Sequence, residues 1–217
     1  MLYRDQLEQL TRNILFIDPG YLVVQDRIRS KSGPHHYTWQ LFPPQKQGLE
    51  VNGDSALYRG RKAWLQVKVL SPRNPQLKIK DTPIPIREYA HYPQERLRPR
   101  SVLQVTHDEA TSDQDFLVVL LPGYSAEQEP LRIDHLSGPG YQGVRILFNS
   151  RQDEIFFASM GEIKGPLLFT DGSSAYLSRQ GDALVAVSHS AGDFAHRAGT
   201  EVADRQPTGG RGTRARR

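Results

Sequence analysis

Short segments of alternating or continuous apolar residues recur about every 8–12 residues along this chain, separated by Gly-, Pro- and Asp-containing turns. No amphipathic helical stretch interrupts them. That pattern admits an antiparallel all-β fold, a sandwich or an open barrel, and disfavours parallel βαβ architectures. The stretch from Ile14 to Phe42 shows it most clearly. Two apolar runs, Ile14–Ile17 and Tyr21–Val24, flank Pro19-Gly20. Proline presets a φ of about −65° and glycine accepts positive φ, so the dipeptide predicts a tight turn between strands. Ser30–Pro34 breaks the chain again before His35–Leu41, where Tyr37, Trp39 and Leu41 share one face. A meander with an aromatic-rich face needs a second layer to cover it.

Downstream segments supply that layer. Leu49–Val51 and Ser55–Tyr58 flank Asn52-Gly53-Asp54, whose Asn-Gly pair predicts a type I′ hairpin. Ala63–Leu70 alternates, with Leu65, Val67 and Val69 on the face expected to be buried. Ser101–Thr106 is a further strand, and the continuous apolar run within Asp115–Leu121 predicts burial on both faces. Leu131–Leu136, Gly143–Phe148, Glu154–Ala158, Leu167–Phe169, Ala175–Arg179 and Ala183–Val187 complete the set. The chain has no internal repeat of fixed period.

Residues 71–100 break the rhythm. Pro72, Pro75, Pro83, Pro85, Pro93 and Pro99 stiffen this stretch, and Leu77–Ile79 alone has strand character. Loops beyond about 12–15 residues are often functional. This one carries Tyr89, His91, Tyr92, Arg96, Arg98 and Arg100. Arginine grips carboxylate or sulfate groups bidentately, and Tyr or His stacks on sugars or donates to them. The same residue types could supply the base, acid and carboxylate neutraliser of a β-elimination. The set is assigned to substrate contact; the bland alternative is a solvated loop pinned by Tyr89 and Tyr92.

The other polar groups carry less. His35 and His36 are adjacent on a strand and face opposite sides, so they cannot share one metal in regular β geometry. His107-Asp108-Glu109 with Asp113 and Asp115 offers oxygen ligands, but the spacing matches no calcium loop and reads as a solvated turn. Gly138-Pro139-Gly140 is a turn without the strand-to-helix setting of a phosphate loop. His189 and His196 receive no role. Neither a nucleophile-elbow motif nor a triad is present. No catalytic residue and no metal site are assigned.

Composition narrows the partners. Of 217 residues, none is Cys, which excludes disulfides and thiolate metal sites. The net charge of +4 belongs to residues 197–217, where six Arg face Glu201 and Asp204; residues 1–196 balance. The basic tail, residues 191–217, is therefore expected to be a disordered, solvated terminus, and no nucleic-acid partner is assigned. No stretch approaches the roughly 18 apolar residues of a membrane span. MLYRDQLEQLTRN lacks the apolar core of a signal peptide and has weak helical periodicity at Leu2, Leu7 and Leu10. Its abrupt passage into a strand predicts that residues 1–11 are a truncated lead-in from a larger fold.

The succession RNILFIDPGYLVVQDRI, HHYTWQLF, SVLQVTHDEATSDQDFLVVLLPG, GVRILFNSRQDEIFFA and DGSSAYLSRQGDALVAVS resembles the C-terminal β-sheet region of the heparinase II/III-like polysaccharide lyases, a group that includes alginate, heparin and heparan sulfate lyases. The likeness covers Arg12–Ser190 and includes no catalytic signature. It implies an antiparallel, supersandwich-like β-sandwich over residues 12–190, acting beside an α/α toroid in cis or in trans on an acidic, uronate-containing polysaccharide. It also implies a periplasmic or secreted setting. The family's base, acid and carboxylate neutraliser lie mostly on the toroid. Its zinc ligands lie on strands upstream of the stretch matched here, so no cofactor is expected in this chain. The resemblance thus implies the supporting portion of a β-eliminating lyase, inactive alone. The alternatives are a non-catalytic carbohydrate-binding or structural sandwich and, further off, a small complete lyase built on the Tyr89–Arg100 cluster.

Overall fold

The structure, a computed structural model, describes residues 5–17, 20–43, 48–82, 100–124, 132–158, 163–164, 168–170, 173–189, 194–198 and 201–205. Every regular element among them is a β-strand, and every ladder is antiparallel. The chain divides into two compact units, Met1–Glu127 and Gln128–Arg217.

In the first unit, β1 (Leu7–Ile17), β2 (Tyr21–Ser30), β4 (Leu49–Asn52), β5 (Ser55–Arg59), β6 (Ala63–Ser71) and β9 (Asp113–Tyr124) form a six-stranded sheet of order β1-β2-β9-β6-β5-β4. A three-stranded sheet, β3-β8-β7, is built from β3 (Thr38–Leu41), β7 (Gln76–Thr82) and β8 (Arg100–Thr106). The core lies between them. Ala56, Val67, Val69, Phe116 and Val118 from the large sheet meet Trp39, Leu103 and Val105 from the small one. The predicted faces hold: Tyr37 and Leu41 flank Trp39 against this cluster, and Leu65 joins Val67 and Val69. On β9, Phe116, Leu117, Val118, Val119 and Leu121 are all buried, as a continuous apolar run requires.

Three details depart from the sequence pattern. First, β3 is not the third strand of a meander. It leaves the β1–β2 hairpin and pairs with β8 in the facing sheet, Trp39 opposite Val105. That places its aromatic face on the shared core. Second, the β4–β5 hairpin pairs Asn52 with Ser55, so Gly53 and Asp54 are its central residues. Gly53 has φ of +58°, while Asn74 is the one non-glycine at positive φ among the described residues. Positive φ at the first central position alone is the type II′ pattern, not I′. Third, β1 begins at Leu7 and continues as strand through the stretch whose spacing suggested helix.

In the second unit, a five-stranded sheet of order β10-β11-β12-β15-β16 is built from β10 (Arg132–Gly138), β11 (Tyr141–Leu147), β12 (Gln152–Ala158), β15 (Ser174–Gln180) and β16 (Ala183–His189). β10–β11, β11–β12 and β15–β16 join through short turns, while β13 and β14 lie in sequence between β12 and β15; Gly181-Asp182 repeats the Gly-Asp hairpin, with Gly181 at φ +58°. A four-stranded sheet comprises β13 (Ile163–Lys164), β14 (Leu168–Thr170), β17 (Phe194–Ala198) and β18 (Glu201–Arg205). Ile163 packs with Phe156, Ala175 and Leu177 of the larger sheet. β17 and β18 fall within 191–217, beyond the last strand the pattern predicts; residues 206–217 lie outside the described residues.

Candidate functional site

Of the residues assigned to substrate contact, Tyr89, His91, Tyr92, Arg96 and Arg98 lie outside the described residues. Arg100 opens β8 and pairs with Thr82 at the end of β7. The β7–β8 ladder therefore holds both ends of the 83–99 segment at one end of the small sheet, beside the Leu41 end of β3.

The remaining sequence candidates are structural. His35 makes a single bridge to Thr111, its Nε2 lies 3.1 Å from Ser32 Oγ, and both His35 and His36 are exposed. Asp113 and Asp115 serve as anchors for β2. Arg29 approaches Asp115 at 3.0 Å and Asp113 at 3.5 Å, and Arg27 approaches Asp115 at 3.8 Å. The register explains this: Arg27 lies opposite Asp115 and Arg29 opposite Asp113 across the β2–β9 ladder. Carboxylates already facing guanidinium groups are poor cation ligands. Among the described residues, no three His, Asp or Glu side chains converge as metal ligands.

The feature that the sequence did not predict is on β1. Leu10, Ile14 and Phe16 project from one face and are 62%, 57% and 66% exposed. That face is the core face of the large sheet. Leu10 pairs with Ile28, which packs on the core cluster, and Ile14 pairs with the buried Val24. Geometry accounts for the exposure. At about 4.8 Å per strand, six strands span about 24 Å and three about 10 Å, so the small sheet leaves part of the large one uncovered. Among the described residues, β1 contributes nothing to the core cluster.

Arg12 sits within this stripe and serves the interior. Asp26, 4% exposed, lies opposite it on the same face. Arg12 Nε donates to Asp26 Oδ1 at 2.6 Å and Nη2 to Oδ2 at 2.5 Å. This two-point bond to Asp26 raises the Arg12 pKa, and the carboxylate's charge adds to it against the cost of partial burial. Beside it, Asn13 Nδ2 donates to the buried Gln25 at 2.9 Å on the other face.

The second unit has its own polar cluster. Asp153 is fully enclosed on β12. Ser178 Oγ donates to its Oδ1 at 2.6 Å, Tyr176 OH reaches the same oxygen at 3.4 Å, and Arg151 lies 3.0 Å from Oδ2. Arg151 also sits over the Phe148 ring, 4.7 Å from its centroid. Burial is the main cause that pushes the Tyr176 pKa up, and Asp153 assists; Ser178 and Arg151 oppose it. Next along β12, the buried Glu154 takes Arg145 at 2.8 Å and Gln152 at 2.9 Å through Oε1. Each carboxylate takes a partner from an adjacent strand, Asp153 from Ser178 of β15 and Glu154 from Arg145 of β11. They tie the sheet together rather than present a base to solvent.

No helix among the described residues is long and apolar enough to cross a membrane. No family model and no curated protein matches the chain. Among solved structures, a heparan sulfate lyase HepC mutant from Pedobacter heparinus matches with a TM-score of 0.51 and 16% identity. The match covers 71% of this chain and 24% of that one, so this chain corresponds to about a quarter of the lyase's length. The likeness is one of fold: the strands of this chain are arranged like those of part of that lyase.

Proposed function

We propose that this chain is the C-terminal β-sandwich portion of a heparinase II/III-like polysaccharide lyase acting on uronic-acid polysaccharides by β-elimination. The observation that carries the proposal is the fold likeness, which spans most of this chain and a minor part of a heparan sulfate lyase. On this reading residues 12–190 are the sandwich region, residues 1–11 lead into it and residues 191–217 form its tail. Its task is to support and orient an α/α toroid, in cis or in trans, which carries the groups that neutralise the uronate carboxylate, remove the C5 proton and protonate the leaving oxygen. The polar clusters described above agree with a supporting role, because each carboxylate in them is bound to arginine or hydroxyl groups of the same sheet. Substrate contact by Tyr89, His91, Tyr92, Arg96, Arg98 and Arg100, and a periplasmic or secreted setting, belong to the same proposal.

The test is the ultraviolet absorbance of the unsaturated uronate product, with alginate, heparin, heparan sulfate, chondroitin and hyaluronan as substrates. The chain alone is expected to give no rise, and a rise is expected once an α/α toroid domain is supplied. A rise from the chain alone that disappears in Tyr89→Phe/His91→Ala would make it a self-sufficient lyase. No rise in either arm would favour a carbohydrate-binding or structural sandwich.

A further inference from the structure

The hairpin that joins β5 to β6 ends in positive charge that nothing in its sheet answers. Arg59 closes β5, Gly60 N–H donates to the Ala63 carbonyl at 2.8 Å, and Arg61 and Lys62 form the tip between them. Arg59, Arg61 and Lys62 are all exposed. Elsewhere on the same sheet Arg12, Arg27, Arg29 and Lys68 each face a carboxylate. Among the described residues, no carboxylate pairs with Arg59, Arg61 or Lys62. Residues 1–196 carry no net charge, so this cluster is a local arrangement and does not follow from composition. Like charges gathered in one turn repel each other and do not support the hairpin. The end of β9 sets an aromatic ring beside them. Tyr124 lies opposite Ala63, the neighbour of Lys62, and is 64% exposed. Trp64 fixes its backbone: the indole Nε1 donates to the Tyr124 carbonyl at 2.9 Å, and the indole lies over Gly123, where it leaves no room for a Cβ.

We propose that the β5–β6 tip and Tyr124 form a docking surface for an acidic polysaccharide. The charge sets the sign of the partner. Arg59 and Arg61 can each take a carboxylate or sulfate group through two parallel N–H bonds, and Lys62 adds a point charge. Tyr124 offers a ring face to a sugar and a hydroxyl to its polar groups. The layout sets the partner's form. Arg59 shares one face of the sheet with Trp64, and Tyr124 shares the opposite face with Ala63, so the tip lies between them. A small anion cannot touch all four groups, whereas a polymer laid across the end of the sheet can. The tip has no apolar side chain larger than Ala63, which leaves it nothing to bury in a membrane surface. The choice of a polysaccharide over a nucleic acid rests on the lyase reading; the unpaired cations and the exposed ring do not.

Titration calorimetry of the full chain with a size-fractionated heparin oligosaccharide, repeated at rising salt, tests the surface. The unaltered chain is expected to bind, and to bind less as salt screens the exposed cations. Arg59→Gln/Arg61→Gln/Lys62→Gln is expected to bind about tenfold more weakly or worse, with unchanged circular dichroism. The arginines of residues 197–217 are a second source of positive charge. Arg214→Gln/Arg216→Gln/Arg217→Gln removes the same charge there and is expected to keep most of the affinity. Tyr124→Ala is expected to weaken heparin binding and to leave binding of tripolyphosphate, which has no sugar ring, unchanged. Absence of heparin binding overturns the proposal. So does a hairpin variant that binds like the unaltered chain, or a tail variant that loses as much as the hairpin variant. Duplex DNA bound as tightly as heparin, with no effect of Tyr124→Ala on either, overturns the polysaccharide as the partner. Heparin binding is read without turnover, so its loss leaves the lyase reading standing, and a lyase assay without product leaves heparin binding standing.

Discussion

Arg12 holds Asp26 with two hydrogen bonds, and it does so from the exposed face of an edge strand while Asp26 is buried on the neighbouring strand. The pair is unequal. Arg12 is partly solvated and loses little when released, but Asp26 has no exit to water. Removing the arginine leaves a buried carboxylate uncompensated. Arg12→Ala is expected to destabilise the chain by about 3 kcal/mol, the low end for breaking a buried pair from one side. Arg12→Ala/Asp26→Leu should recover most of that loss, since an apolar residue suits a face shared with Val24 and Ile28. Urea denaturation of the two single variants and the double variant measures the coupling. Simple additivity of the singles would show that the bond is not a stabilising unit.

Tyr176 gives the fold an alkaline limit. Its native pKa lies above the ordinary value of 10.0, chiefly through burial. As pH rises, the unfolded chain therefore releases this proton before the native chain does. The contribution is intact below 10.0 and is lost as pH climbs through the raised native value. Other tyrosines titrate nearby, so the comparison that isolates Tyr176 is with Tyr176→Phe. The unaltered chain should lose urea midpoint more steeply above 10.0 than the variant. Parallel slopes for the two proteins would contradict the assignment.

Leu103 projects from the three-stranded sheet into the core with no exposed surface, among Trp39, Val105 and the residues of the facing sheet. Leu103→Ala is expected to cost about 3 kcal/mol through lost burial and the cavity left behind. Phe42 is 52% exposed at the end of the same layer, and Phe42→Ala should change stability by about 0.5 kcal/mol or less. Thermal or urea melts of the two variants report whether the small sheet truly caps the large one.

How much of this was legible depends on whether the signal was local. β9 could be read because a strand buried on both faces needs no partner to explain its continuous apolar run. The Trp39 face could be read because alternation survives wherever the strand goes. The sheet that β3 joins could not be read, since its partner β8 is more than sixty residues away and nothing in HHYTWQLF names it. β1 was half legible. Ile14–Ile17 announces a strand, but in LEQLTRN the apolar residues, Leu7 and Leu10, stand three apart, a spacing that suits a helix. Its exposed stripe was invisible, because exposure depends on how wide the facing sheet turns out to be. The same holds for Asp153 and Tyr176, whose contact exists only through the β12–β15 register. The loop cluster from Tyr89 to Arg98 was read from composition and lies outside the described residues.

Gly143 shows how closely β11 and β12 are packed at the level of the backbone. A Cβ built on it would lie 2.1 Å from the Ile155 carbonyl oxygen and 3.2 Å from the Phe156 Cα. Those are main-chain atoms of the neighbouring strand, so no side-chain rotation can relieve the contact. The strands would have to separate where Gly143 pairs with Phe156, next to the fully buried Val144 and Ile155. Gly143→Ala is therefore expected to cost about 2–3 kcal/mol, in the range for overpacking a closed core. Gly53 provides the control. It has φ of +58° and nothing within 4 Å of its would-be Cβ, so Gly53→Ala meets only backbone strain. That strain is worth about 1–2 kcal/mol at a single positive-φ position. Urea midpoints should fall further for Gly143→Ala than for Gly53→Ala, although the first has no conformational need for glycine and the second does. The reverse order would mean that strain at the hairpin outweighs strand packing, and the close approach of β11 to β12 would have to be abandoned.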